Sequence, residues 1–230
     1  MKTTIYITLL ALSFGFISCE RNKNHAGNLV EDSSAPNKAA SIFGSSPSSQ
    51  ELDPSAYVKW IKNPDNGLVK AKTIDKMIFS VLYKPSEYLL CQEERSNEIS
   101  TKTYNQKLPD YSDLYYFDLK IEIEGGQGEL LKQDASGSED YDKRVKYYSF
   151  GLLHDITMVQ NGDTIPCAMT HFERAFDITP YACFQIAFPK QKSKEGDLTI
   201  IFIDKIFGKG ILKFFFNKDI LSHLPKLKTS

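Results

Sequence analysis

The chain has 230 residues, with 28 lysines and arginines against 29 aspartates and glutamates, and a formal net charge of -1. There is no basic excess to attract a phosphate backbone, so the composition gives nucleic-acid binding no support. Hydrophobic residues make up 41% and aromatics 12%, enough for one buried core rich in Tyr and Phe, residues that favour strands.

Met1-Lys2 gives a short positive start, Ile5 to Phe16 is a nearly unbroken apolar run, and small Ser18 precedes Cys19. A charged start, a short apolar stretch and a small residue at the cut describe a cleaved secretory signal over residues 1–18. The run is shorter than the about 20 residues a spanning helix needs. Phe16-Ile17-Ser18-Cys19 resembles the bacterial lipobox, with Phe16 where that box usually has Leu. The resemblance implies a thioether-linked diacylglycerol and an acylated amine on Cys19. The lipid bilayer is then a partner through Cys19, and several acyl chains anchor firmly where one would not. Glu20, rather than Asp, follows the cysteine, which under the usual sorting rule points to the outer membrane.

Residues 19–52 read as the lipidated cysteine and a disordered tether, because Asn, Ser, Pro, Gly and charges leave too few apolar residues to offset ordering entropy. His25 falls in this stretch and is expected to be solvated.

A single globular β-rich domain is expected over residues 53–230. Asp53-Pro54 is a helix start, with Tyr57, Trp60 and Ile61 on one face, and Asn63 to Gly67 is its stop. Leu68 to Ala71 and Met77 to Tyr83 read as strands, and Pro85 to Leu90 as a helix start. Residues 94–112 are polar and carry no clear pattern. From Leu114 to Glu124, Phe117, Leu119, Ile121 and Ile123 alternate with Asp118, Lys120, Glu122 and Glu124, a strand with one dry and one wet face. Ser138 to Phe150 reads as a helix capped by Ser138, with Tyr141, Val145 and Tyr148 in one stripe.

The last third is richest in strand signals. His154 to Gln160 and Asp163 to Phe172 flank Asn161-Gly162, a strong hairpin signal. Tyr181 to Phe188 is a further strand. Leu198 to Ile206 and Ile211 to Phe216 form a second hairpin, apolar on both sides and therefore expected to be covered on both faces. Asn217 caps a last helical turn that Pro225 stops. About eight strands and three or four short helices, without regular strand-helix alternation, predict an α+β fold, predominantly antiparallel β. The expected architecture is a sandwich or curved sheet with a few short peripheral helices.

Tyr57, Trp60, Asn63-Pro64, Asn66-Gly67-Leu68-Val69, Phe79, Tyr83, Lys84-Pro85 and Glu87-Tyr88, with the stretch from Phe202 through Gly210 to Phe214, together resemble uncharacterised lipoproteins of the Bacteroidota. The resemblance covers about half of the domain and implies a Gram-negative envelope protein without carrying over any site. Trp60 and Tyr88 are the aromatics that could face a ligand, although their spacing suits core anchors better.

Four cysteines occur, and lipid takes Cys19, which leaves Cys91, Cys167 and Cys183. Buried free thiols are expected, with a Cys167–Cys183 disulfide as the alternative. No HExxH, GxSxG, phosphate loop or dinucleotide fingerprint is present, and no cofactor is expected. The sharpest constellation comes from the Asn161-Gly162 hairpin. Pairing 160 with 163 and 154 with 169 puts His154, His171 and Glu173 on the face that carries Ile156, Met158, Ile165, Cys167 and Met169. Two imidazoles and a carboxylate could hold zinc or share a proton, yet the face has core composition, so both histidines are expected to be structural. A non-catalytic envelope module that binds a protein or glycan is the leading reading. An envelope hydrolase and a small-ligand carrier are the alternatives.

Overall fold

The legible alternation around Leu119 sets the centre of the structure. The computed structural model describes residues 50–174, 178–191 and 195–230; the expected signal, Cys19 and the expected tether up to residue 49 lie outside the described residues. In chain order the elements are β1 (Glu51–Leu52), α1 (Pro54–Lys62), β2 (Val69–Ile74), β3 (Met77–Lys84), α2 (Ser86–Glu94), α3 (Thr101–Lys107), β4 (Leu114–Ile123) and α4 (Ser138–Lys146). There follow β5 (Ile156–Gln160), β6 (Asp163–Pro166), β7 (Met169–Glu173), β8 (Tyr181–Pro189), β9 (Leu198–Asp204), β10 (Gly210–Phe216), α5 (Lys218–Ser222) and β11 (Lys226–Leu227). The fold is α+β and predominantly antiparallel β. One sheet has the order β2-β3-β4-β8-β7 and the other the order β10-β9-β5-β6.

The two sheets pack face to face through aromatic side chains. Phe79, Val81, Tyr83, Phe117, Leu119, Ile121, Phe184, Ile186 and Phe188 line the inner face of the first sheet, and all are buried. The second sheet answers with Met158, Leu198, Ile200, Phe202, Leu212, Phe214 and Phe216, also buried. Ring centroids meet across the seam at 5.4 Å for Phe117–Phe216 and 6.2 Å for Phe79–Phe202, within the range of favourable tilted pairs.

Local chemistry starts and stops the elements. The Asp53 carboxylate accepts from the Ala56 N–H at 2.8 Å, Pro54 takes the first helical position, and α1 buries Tyr57 and Ile61. The polar stretch without a pattern holds α3, where Ser100 Oγ accepts from the Thr103 N–H at 3.1 Å. No residue of α3 is buried, so there was no apolar period to read. The β2–β3 turn uses Asp75 and Lys76 at φ 48° and 66°, left-handed positions normally marked by Asn or Gly. The helix at Ser138 is preceded by Gly137 in the cap position, so Ser138 is its first residue and not its cap.

Three expectations need correction. Glu51 and Leu52, read with the tether, form β1 and pair in parallel with Lys226 and Leu227, because Lys226 and Lys228 donate backbone N–H groups to Gln50 and Leu52 at 2.9 and 2.8 Å. The strand expected from Asp163 to Phe172 is two strands in different sheets. Its first half pairs as expected, Gln160 opposite Asp163 and Met158 opposite Ile165, but the ladder ends at Pro166. Proline lacks the N–H to continue it. The third correction concerns the β9–β10 hairpin: β10 is an edge strand, and on the outer side of the hairpin Ile203 of β9 and Ile211 and Phe215 of β10 are 39%, 64% and 51% exposed.

Burial separates the two faces of β4. Leu119 is buried, whereas Lys120 is part-exposed, 2.6 Å from Glu122 and 4.4 Å from the Tyr181 ring centroid. Leu119→Ala is expected to cost about 2–5 kcal/mol, and Lys120→Ala under about 1 kcal/mol. Urea unfolding of both variants checks this; equal costs would mean that the facing of β4 is wrong.

Candidate functional site

The expected histidine pair depended on an unbroken hairpin, and the break at Pro166 separates its members. His154 lies in a 3-10 turn, Leu152–His154, ahead of β5, and is exposed. His171 and Glu173 lie on β7 in the other sheet, opposite Gln185 and Cys183. His171 is exposed and Glu173 part-buried, and Gln185 Nε2 donates to Glu173 Oε1 at 2.8 Å. The apolar face on which the pair was to sit does form in part: Ile156, Met158, Ile165 and Cys167 are buried, while Met169 is 40% exposed.

The outer face of the first sheet collects the polar side chains. Ladder pairing aligns Asp118, Gln185 and His171 in one row and Lys120, Cys183 and Glu173 in the next. Lys84, which is buried, pairs with Asp118 at 2.9 Å, and Tyr88 of α2 closes over it with its ring centroid 5.9 Å from Lys84 Nζ. Burial raises the Asp118 pKa, and Lys84 partly opposes that shift. The Cys183 thiol is pushed up to about 12, first by burial and then by the Asp118 and Glu173 carboxylates. A thiol held protonated is a poor nucleophile and a poor metal ligand. Cys167 donates to the carbonyls of Met169 and Ala187 at 3.1 and 3.5 Å, and all three described cysteines are free. Tyr88 is buried and Trp60 packs against the core, so neither is an exposed ligand platform.

A different arrangement stands at the ends of β4 and β8, which finish side by side with Tyr115 opposite Phe188. Lys190 follows the strand, tied by its backbone N–H to the Asp113 carbonyl at 2.9 Å. Its ammonium lies 5.4 Å from the Tyr115 ring centroid. Two hollows share this lysine. The larger, of about 600 Å³, is lined by Tyr83, Tyr115, Lys218, Asp219 and Ser222. The smaller, of about 380 Å³, is lined by Ser86, Glu87, Tyr104 and Asn105.

Electrostatics distinguish Lys190 from an ordinary surface lysine. Burial lowers its pKa, while Glu87 and Asp113 favour its charged form. Tyr104 Oη donates to Glu87 Oε1 at 3.4 Å, and burial followed by the Glu87 charge raises its pKa. Burial, Tyr115 and Glu87 raise the Tyr83 phenol in the same way. Gln160 Nε2 donates to Tyr115 Oη at 3.2 Å, which fixes that ring from the second sheet. The arrangement offers a half-buried cation, phenols held in their hydrogen-bonding neutral form, and carboxylates at Glu87 in the smaller hollow and at Glu195 and Asp219 in the larger.

No family model matches the chain, nor does any curated protein or solved structure. Sequence reasoning did not find Lys190. Tyr83 and Tyr115 sit at inward strand positions and read as core, and Lys190 follows Pro189 with no motif around it. A strand-ending lysine beside inward tyrosines was the only signal available.

The buried Lys84–Asp118 pair can be tested as structure apart from function. Asp118→Ala is expected to destabilise by about 3–5 kcal/mol, because it leaves a buried ammonium without its partner. The double variant Lys84→Met, Asp118→Leu should recover most of that loss, read by thermal and urea unfolding. A double variant as unstable as Asp118→Ala would show that the face needs the charges themselves.

Proposed function

We propose that the protein is a lipid-anchored module of the bacterial envelope that holds an anionic, hydroxyl-rich ligand of the sugar-acid or sugar-phosphate class in the cleft at Lys190. The observation that carries the binding reading is the half-buried Lys190 ammonium between two tyrosine-bearing hollows. A charge in such a place is worth more than one in open water, because the surroundings screen it less. Phenol rings supply flat apolar faces for a sugar ring and hydroxyls for its oxygens. Both hollows are open, and the larger is more polar than apolar, unlike the closed apolar cavity a small-ligand carrier would use. The anchor reading rests on the order of signal, lipobox-like Phe16-Ile17-Ser18-Cys19 and polar linker, and the outer membrane is the proposed location.

The ligand reading has a pH signature. Burial holds the Lys190 pKa low in the free protein, and a bound anion would raise it, so complex formation takes up protons where the free lysine titrates. Affinity is expected to be highest while the ammonium is charged and to fall as pH rises through that lowered value. Calorimetric titration with glucuronate and with glucose 1-phosphate should show binding that Lys190→Met weakens by at least about tenfold, the scale of one charge-assisted hydrogen bond. Binding untouched by Lys190→Met, or no binding of either probe, would remove the proposal. Mass spectrometry of the native N-terminus tests the anchor separately: acylated Cys19 is expected, and an unmodified Cys19 rejects it.

A further inference from the structure

The second sheet has an outer face that no element covers among the described residues. Ladder pairing puts Ile211 opposite Ile203, Lys213 in a row with Ile201 and Thr157, and Phe215 in a row with Thr199 and Val159. The tips of Ile203, Ile211 and Phe215 are exposed. No acidic residue occupies any of these positions, and Lys213 has no carboxylate partner among the described residues. Exposed apolar side chains at both ends of one sheet face, joined through half-buried Ile201 and Val159, mark a surface suited to meeting another.

The surrounding charges say what. β10 lies against β2 across the edge of the sandwich. Lys70 and Lys72 stand opposite Val81 and Phe79, so they leave the first sheet on its inward side, toward β10. The face is therefore apolar at its tips and cationic at its middle and along one edge. We propose that this face docks on the headgroup layer of an anionic bilayer, with Ile211 and Phe215 entering the apolar boundary and Lys213 meeting lipid phosphate. Apolar burial and attraction to anionic lipid are the two terms that drive interfacial binding. A second copy suits the face less well, since the same face of a partner would offer Lys213 only another lysine and no acid. The inference rests on the lipid anchor proposed above, which would hold the domain near the membrane at about millimolar effective concentration, so that a weak contact suffices.

The test uses the full lipidated chain in vesicles of brominated phosphatidylcholine, with and without phosphatidylglycerol. A Phe215→Trp reporter is compared with the otherwise identical native protein, whose Trp60 provides the background. Docking predicts that the reporter is quenched at least about twofold in the anionic vesicles, that salt reverses much of the effect, and that Lys213→Glu abolishes it with no change in melting temperature. Flotation reads the anchor and quenching reads the face, so the two failures are distinguishable. A floating protein with an unquenched reporter overturns the docking, as does a reporter that responds to protein concentration without vesicles while sedimentation shows a dimer. If flotation is lost, quenching by millimolar anionic vesicles still decides the face, for or against.

Discussion

Pro166 cannot donate a ladder hydrogen bond, and it stands at the last pairing position of β6, opposite Thr157. Its position forces a choice on the chain that the rest of the sandwich inherits. Two residues later the Ala168 N–H donates to the Ala187 carbonyl at 2.9 Å, and the backbone has changed sheets. β7 then adds to β8 as the fifth strand of the first sheet, where Phe172 stacks on Phe184 with ring centroids 5.0 Å apart and meets Tyr148 at 5.8 Å. The crossing ties the two sheets together at one edge. It also turns His171 and Glu173 outward beside Gln185 and Cys183, which is why a zinc-like constellation drawn on a straight hairpin does not form there.

How much of this was legible depended on whether the signal was local. The alternation of Phe117, Leu119 and Ile121 needs only its own strand, and its facing was readable. Asn161-Gly162 was readable too, because left-handed backbone at φ 52° and 84° is what those residues tolerate. The same turn was not marked at Asp75-Lys76, where tertiary pairing imposes positive φ on residues that do not advertise it. α3 was hidden because none of its residues is fully buried and Tyr104 alone packs against the core, and β1 because a two-residue parallel strand takes its meaning from Lys226 and Leu227 at the far end of the chain. The proline within the supposed long strand was the one local warning that was present and undervalued. The Lys190 cleft was illegible for another reason: Tyr83, Tyr104, Tyr115 and Lys190 come from separate elements, and only the sandwich brings them to one end.

The cleft also shows why burial, more than charge count, sets the character of a site in a nearly neutral protein. Lys107 lies 2.8 Å from Glu93 and is solvated, and its role is to tie α3 to α2. The same arrangement lowers the Glu93 pKa, first through the Lys107 hydrogen bond and then through Tyr111. Because that folded value is depressed, its stabilisation is present above the usual glutamate range and fades as pH falls through it. Lys190 has the opposite balance. Its environment disfavours the charge it carries, with Glu87 and Asp113 only partly compensating, so a ligand anion would relieve an existing cost. One lysine contributes to the fold, and the other is left needing a partner.

The outer faces of the two sheets differ in kind, and the attachment of the linker does not explain the difference. The chain enters the fold at Gln50, whose carbonyl accepts from the Lys226 N–H at 2.9 Å, so the origin of the linker is fixed on the domain. A Ser-, Pro- and Asn-rich coil running from there back to Cys19 would have a typical reach of about 30 Å. A domain of this size has a radius of gyration of about 16 Å, which for a compact body means a width of about 40 Å, somewhat more than that reach. If the chain is anchored through Cys19 as proposed, a linker that long would impose little orientation, and surface chemistry would have to select the face that meets the bilayer. Beside the buried Lys84–Asp118 pair, the first sheet presents Lys120, Gln185, His171 and Glu173, groups that would have to shed water to enter an interface. The second presents Ile203, Ile211 and Phe215 with one lysine, and for that face leaving water is the favourable direction.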